Sequence, residues 1–137
     1  MRDRRFIAVL VLLAASVAMG QNADKTQIAA DSANRWLGYI DSDDYAKSWD
    51  SAAQLFQKAV SKAEWEKQLT AIRGPLGLVE ARNQISATYT TQLPGVPDGE
   101  YVIVRYQSRF QKKKSAVETV TLTYDRDKWR VAGYYIK

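Results

Sequence analysis

Between residues 24 and 72, apolar side chains recur every three or four positions. From Gly77 to the C-terminus they alternate with polar ones. A change of period from 3.6 to 2 divides the chain into a helical half and a stranded half. In the helical half, Ile28, Ala29, Ala33, Trp36, Leu37 and Ile40 draw one stripe on a helix over Asp24–Ile40. Asp41-Ser42-Asp43-Asp44 stops it and caps a second, short helix carrying Tyr45, Trp49, Ala52, Ala53 and Phe56. Ser61 followed three residues later by Glu64 reads as a capping box, so a third helix starts there, with Trp65, Leu69 and Ile72 on one face. Gly74-Pro75-Leu76-Gly77 ends it.

In the stranded half, Val79, Ala81, Ile85, Ala87 and Tyr89 face one way on a first strand, and Glu80, Arg82, Gln84, Ser86 and Thr88 the other. A turn segment with two Pro and two Gly follows, Leu93 to Gly99. The second strand, Glu100 to about Gln111, sets Val102, Val104, Tyr106 and Phe110 against Arg105, Gln107 and Arg109. Lys112-Lys113-Lys114-Ser115 connects it to a third strand over Ala116–Tyr124, with Val120, Leu122 and Tyr124 on one face. Asp125 to Lys128 turns into a closing strand with Trp129, Tyr134, Tyr135 and Ile136, whose aromatic content calls for partners on both edges. Short connections between strands imply antiparallel pairing of neighbours. The expected fold is α+β: three N-terminal helices packed on one face of a four-stranded antiparallel meander sheet. A strongly curved sheet gives a cone with an internal pocket; a flatter one gives a solid two-layer sandwich.

The first twenty residues follow a different rule. Met1 to Arg5 is basic, Phe6 to Ala18 is apolar, and Ala18-Met19-Gly20 supplies small residues before Gln21. That is the layout of a secretory signal peptide cleaved after Gly20. The apolar run falls short of the roughly 20 residues that span a bilayer. The expectation is a leader over 1–20, a single domain over 21–137, a periplasmic or secreted location and no stable membrane span after cleavage. The leader holds three Arg and one Asp, so the remainder carries +3 of the chain's +5. That mild charge does not point to nucleic acid.

Composition removes several chemistries. There is no Cys, hence no disulfide, thiolate nucleophile or thiolate zinc site. There is no His, the commonest general base and transition-metal ligand. No phosphate-cradling Gly loop, nucleophile elbow or metal-ligand set is present, and no cofactor is implied.

Several blocks carry a resemblance. They are Trp36-Leu37 with Ile40-Asp41, Asp44-Tyr45 and Ser48-Trp49; Arg73 to Gly77; Ser86 to Tyr89; Pro94-Gly95 with Pro97 to Tyr101; Lys114 to Val120; and Trp129 to Val131 with Gly133 to Ile136. Over nearly the whole of residues 21–137 the chain resembles a bacterial exported family defined as a domain of unknown function. The resemblance implies a family and no activity. The order of elements also resembles the nuclear-transport-factor-2-like, ketosteroid-isomerase-like and cystatin-like folds. Enzymes among the cone-shaped folds place Asp, His or Tyr in the pocket, and this chain has no His.

Glu118 is the first candidate site residue. It shares a strand face with Val120, Leu122 and Tyr124, where a carboxylate is costly unless paired. It reads either as a pocket carboxylate or as a structural ion pair, with Arg105 or Arg109 on the preceding strand as partner. Tyr106, Tyr124 and Tyr135, among six aromatic residues of the strands, read either as the lining of a ligand cavity or as cross-strand packing. Lys112-Lys113-Lys114 reads as an anion contact or as a solvated turn. Asp41 to Asp44 resembles the start of a calcium loop but lacks its Gly and distant Glu, leaving helix capping.

These readings converge on a small exported domain, without catalysis, that binds an apolar or amphipathic small ligand or a periplasmic protein. Glu118, Arg105, Tyr106, Tyr124 and Tyr135 are its expected ligand contacts. Two alternatives stand beside it: a cone-fold enzyme using Glu118 with Tyr or Arg as acid–base groups, and a homodimer formed through the open sheet face.

Overall fold

The computed structural model describes residues 20–137 with their side chains. The expected leader therefore lies, Gly20 apart, outside the residues whose side chains are described. The elements are α1 (Arg2–Asp41), α2 (Tyr45–Asp50), α3 (Gln54–Ala59), α4 (Lys62–Arg73), a 3₁₀ turn over Gly74–Leu76, β1 (Val79–Thr90), β2 (Tyr101–Phe110), β3 (Lys113–Asp125) and β4 (Lys128–Ile136). The strands form one open antiparallel sheet in the order β1-β2-β3-β4. The fold is α+β with a meander sheet, as the change of period predicts. Among the described residues no helix is long and apolar enough to cross a membrane.

The predicted stripe on α1 is buried at Ala29, Ala33, Trp36, Leu37 and Ile40, while Ile28 stays 54% exposed. These side chains meet Val102, Val104, Val120, Leu122 and Val131 of the inner sheet face in one core. Burial of this apolar surface is the main driving term for the fold. Three indole N–H groups are satisfied in or beside it. Trp36 donates to the Ser48 carbonyl at 2.9 Å, Trp65 to the Ser48 hydroxyl at 2.9 Å, and Trp49 to the Val60 carbonyl at 2.9 Å. Ser48, fully buried, is thus the polar hub of an aromatic cluster.

The structure differs from the sequence expectation in the middle of the helical half. The single helix expected from Tyr45 to Phe56 is two. Ala53 adopts extended backbone (φ −66°, ψ 153°) and donates its N–H to the Val131 carbonyl of β4 at 2.8 Å. No Gly or Pro marks this break; a long-range backbone bond makes it. The same contact covers part of β4, which lies at the edge of the sheet and pairs with β3 alone, not with partners on both sides. Ala53 offers no cap to α3, and Asp125 substitutes from the β3–β4 turn: its Oδ2 accepts from the Gln54 N–H at 2.9 Å. Arg126 adds a bond to the Ala52 carbonyl at 3.1 Å. Replacing Asp125 by Ala is expected to cost about 1 kcal/mol, the usual worth of a helix cap. Urea unfolding should show this as a lower midpoint at unchanged slope.

Helix α4 starts where predicted, with the Ser61 hydroxyl accepting from the Glu64 N–H at 3.2 Å. Its buried face is Trp65, Leu69 and Arg73, whereas Ile72 is 48% exposed. At its end Gly77, not Gly74, takes the left-handed conformation (φ +73°). A Cβ at Gly77 would meet Gln111 Oε1 at 2.7 Å, and that oxygen accepts the Leu78 N–H at 2.9 Å. Glycine is therefore required twice over there. Lys113 and Lys114 belong to β3, so the β2–β3 turn is shorter than expected, and Lys114 pairs with Glu80 at 2.9 Å.

Strand β1 departs most from strict alternation. Its register on β2 shifts between Val79 and Ala81, and again between Gln84 and Ser86. Each extra residue reverses which side chains face inward. Ala87 and Tyr89 face the core as predicted, but Arg82, opposite Ser108, is turned in as well, and Ile85 is 56% exposed.

Candidate functional site

The inward turn of Arg82 creates a buried cluster of charges. Glu118 of β3 is fully buried opposite Tyr106. Arg82 grips it with two bonds, Nε to Oε1 at 2.7 Å and Nη2 to Oε2 at 3.2 Å. Ser108 of β2 donates to Oε1 at 2.5 Å, and the Tyr134 hydroxyl of β4 donates to Oε2. On its other side Arg82 holds Asp41, the last residue of α1, with bonds of 2.7 and 2.9 Å. Arg73 of α4 donates to the same Asp41 at 3.1 Å. Two arginines and two carboxylates thus balance, and they tie the C-terminal ends of α1 and α4 to all four strands.

The pairing shapes the ionisation of its members. Burial alone would raise the Asp41 carboxyl, but the bonds and charge of Arg82, with the charge of Arg73, outweigh it and hold the group below 3.8. Burial first, then the Glu118 charge, push the Tyr134 hydroxyl far above the ordinary tyrosine range. Burial likewise pushes Tyr106 up to about 12; its hydroxyl donates to Asn34 Oδ1 at 2.8 Å. An Asp held low stabilises the folded state above its unfolded value and ceases to do so as pH falls through the folded one. The urea midpoint should therefore drop steeply as pH falls below about 4, and Asp41→Asn should flatten that drop.

Chemically this cluster is closed. A carboxylate offers about four lone-pair positions, and Glu118 already accepts four bonds. One imperfection remains, at Arg73. Its guanidinium stacks on Phe110, with Cζ 4.7 Å from the ring centroid, and Nε and Nη1 are buried with no partner among the described residues.

The residues singled out from the sequence lie in three places. Glu118 and Tyr106 are neighbours on the inner face. Arg105 is on the outer face opposite Thr119, and Tyr135, 57% exposed, lies on the other side of Thr119. The expected pairing of Glu118 with Arg105 or Arg109 is therefore wrong: residues adjacent to Tyr106 and Phe110 on β2 point away from the core. The actual partner, Arg82, carries no outward signal in the sequence, because its inward turn depends on bulges. Arg73 was legible in principle, four residues beyond Leu69 on the buried stripe of α4.

Tyr124 belongs to a second feature, a cleft of about 560 Å³ between α1 and the β3–β4 hairpin. Its inner wall is Trp36, Trp129 and Val131, all buried. Tyr124 stands edge-on to Trp129 with ring centroids 5.6 Å apart, and with Ile28 forms a half-exposed apolar mouth. Arg35, Lys128 and Arg130 line the cleft together with a single carboxylate, Asp127. Asp41 to Asp44 forms no cation loop: Asp41 is held by the two arginines, and Asp44 caps α2 by accepting the Lys47 N–H at 3.3 Å. Among the described residues no group of three or more acidic side chains is placed to hold a metal.

A family model described as "Protein of unknown function (DUF4019)" matches residues 32–134. The chain belongs to that family. The match spans α1 from Ser32 through Tyr134 of β4, and so includes every member of the buried charge cluster and most of the cleft. A comparison with curated proteins finds no match.

Proposed function

We propose that this chain is an exported, non-catalytic binding domain that holds a small ligand in the cleft between α1 and the β3–β4 hairpin. The observation that carries the reading is the cleft itself. It has about 560 Å³ of space, two tryptophans in its wall, and half-exposed Ile28 and Tyr124 at its mouth. Ligand sites are concave, mostly apolar and of this size. Export is the reading of the basic, apolar and small-residue pattern over residues 1–20. Of the residues expected to contact ligand, Tyr124 keeps that role. Glu118 belongs to the buried charge cluster and Tyr106 is buried beside it, bonded to Asn34, while Arg105 and Tyr135 lie on the other side of the sheet. Against the acid–base alternative stands the saturation of Glu118, which leaves no lone pair for a substrate proton.

The test is a titration of the folded protein with 1-anilinonaphthalene-8-sulfonate, followed by dye fluorescence and by calorimetry. Saturable binding at one site is expected, weakened at least about tenfold by Tyr124→Ala with an unchanged circular dichroism spectrum. Absence of saturable binding, or binding indifferent to Tyr124→Ala, would remove the cleft as the site.

A further inference from the structure

The chain has four tryptophans, and three of them donate their indole N–H to a protein acceptor: Trp36 and Trp65 to Ser48, Trp49 to Val60. Trp129 is the exception. Its N–H meets no acceptor among the described residues, although the residue is only 7% exposed. Among those residues the buried side-chain nitrogens without a partner are both in Arg73, so Trp129 Nε1 is open to solvent. Trp129 lines the cleft, and the little of its ring left open borders that space. The neighbouring polar groups are committed. Trp36 Nε1 is bound to Ser48, and the Val131 carbonyl accepts the Ala53 N–H at 2.8 Å. The Ser51 hydroxyl donates to the Lys47 carbonyl at 2.9 Å. An indole N–H is a donor only. A ligand that displaces water from it without offering an acceptor leaves that donor unpaired, which costs affinity. The charges of the cleft add no second preference. Arg130, opposite Thr123, is turned to the other face of the sheet. Arg35, Lys128 and Asp127 remain, with both signs.

We infer that the cleft selects a small, uncharged and mostly apolar carbonyl compound, whose oxygen accepts the Trp129 N–H while its apolar body packs on Trp36, Tyr124 and Ile28. This rests on the reading of the cleft as a ligand site. A carbonyl suits the task because its lone pairs lie in the plane of a flat group and meet an N–H in line. A charged head would lose its hydration at the apolar wall without a paired counter-charge.

Two probes of one shape separate the acceptor from the bulk: 2-acetylnaphthalene and 2-isopropenylnaphthalene, which carry an oxygen and a methylene group at the same place. Each is titrated into the folded, isotope-labelled protein, and the four indole N–H signals are followed by nuclear magnetic resonance. In the free protein the Trp129 N–H is expected to exchange with water at least about tenfold faster than the other three. At saturation 2-acetylnaphthalene should move the Trp129 proton signal further downfield than 2-isopropenylnaphthalene does. In Trp129→Phe the affinity of the acetyl probe relative to the isopropenyl probe should fall at least about tenfold. The spectra of the unsubstituted protein decide the matter where that variant fails to fold. A Trp129 N–H that exchanges as slowly as the other three in the free protein would overturn the open donor. Binding of the ketone without the additional downfield move would overturn the carbonyl contact. Failure of both probes while 1-anilinonaphthalene-8-sulfonate still binds and responds to Tyr124→Ala would overturn the ligand class and leave the cleft as a site. Failure of all three would overturn the cleft reading itself.

Discussion

Glu118→Gln is expected to lose about 3–5 kcal/mol of folding stability, the cost of removing one partner from a buried ion pair. The substitution is nearly isosteric, so the loss arises from charge. Arg82 keeps Asp41 but loses its second carboxylate, and the cluster that held two cations against two anions is left with a buried net positive charge. The new amide also presents donors where Ser108 and Tyr134 already donate. In a domain whose total stability is of the order of 5–15 kcal/mol, that is a large share. With a urea slope of about 1–3 kcal/mol/M, the midpoint should fall by about 2 M. Removing both partners tests the cause. Glu118→Leu with Arg82→Met should be less unstable than the sum of the singles, because neither leaves the other's charge stranded. A loss under about 1 kcal/mol for Glu118→Gln would show that the buried charge cluster does not hold the helices to the sheet. Ligand binding in the cleft by the fraction that remains folded should be unchanged, since the buried charge cluster and the cleft share no residue.

Trp36→Ala is expected to cost about as much, roughly 3–5 kcal/mol, by a different route. Trp36 is 3% exposed and packs edge-on to Tyr134 with centroids 5.3 Å apart, and against Trp65 at 6.3 Å. Truncation leaves a cavity between α1, α4 and β4 that these large rings cannot fill by small shifts. It also frees the Ser48 carbonyl from its indole donor. Trp36→Phe separates the two contributions: it retains most of the packing and loses the hydrogen bond, so a cost of about 1–2 kcal/mol is expected. Thermal unfolding followed by near-ultraviolet circular dichroism measures both. Because Trp36 also forms the wall of the cleft, Trp36→Ala should also weaken binding of 1-anilinonaphthalene-8-sulfonate.

The fold class was legible because it rests on local periodicity. The stripe from Ala29 to Ile40 and the row Val102, Val104 and Tyr106 each state a buried face within a few residues. The start of α4 at Ser61 was equally readable, since a hydroxyl three residues before the N–H it accepts is a local geometry. The site was less legible. Glu118 announced itself as a carboxylate on an apolar face, yet its partner could not be named from alternation. The bulges at Glu80 and Ile85 reverse β1, and turn Arg82 inward. The break between α2 and α3 escaped for a similar reason, being made by a bond from Ala53 to a strand nearly eighty residues later. The cap on Gln54 comes from equally far along the chain.

By itself, then, the chain of residues determined the change from helix to strand, the strand neighbours, the apolar faces and the absence of Cys and His chemistry. All of these depend on contacts within a turn or two, or on composition. Tertiary structure alone decided which polar groups were buried together, where α2 ended, and that α1 and the β3–β4 hairpin came to enclose a cleft walled by Trp36 and Trp129. Those outcomes follow from strand register and from packing between distant segments, and one inserted residue in a strand is enough to exchange the inside for the outside.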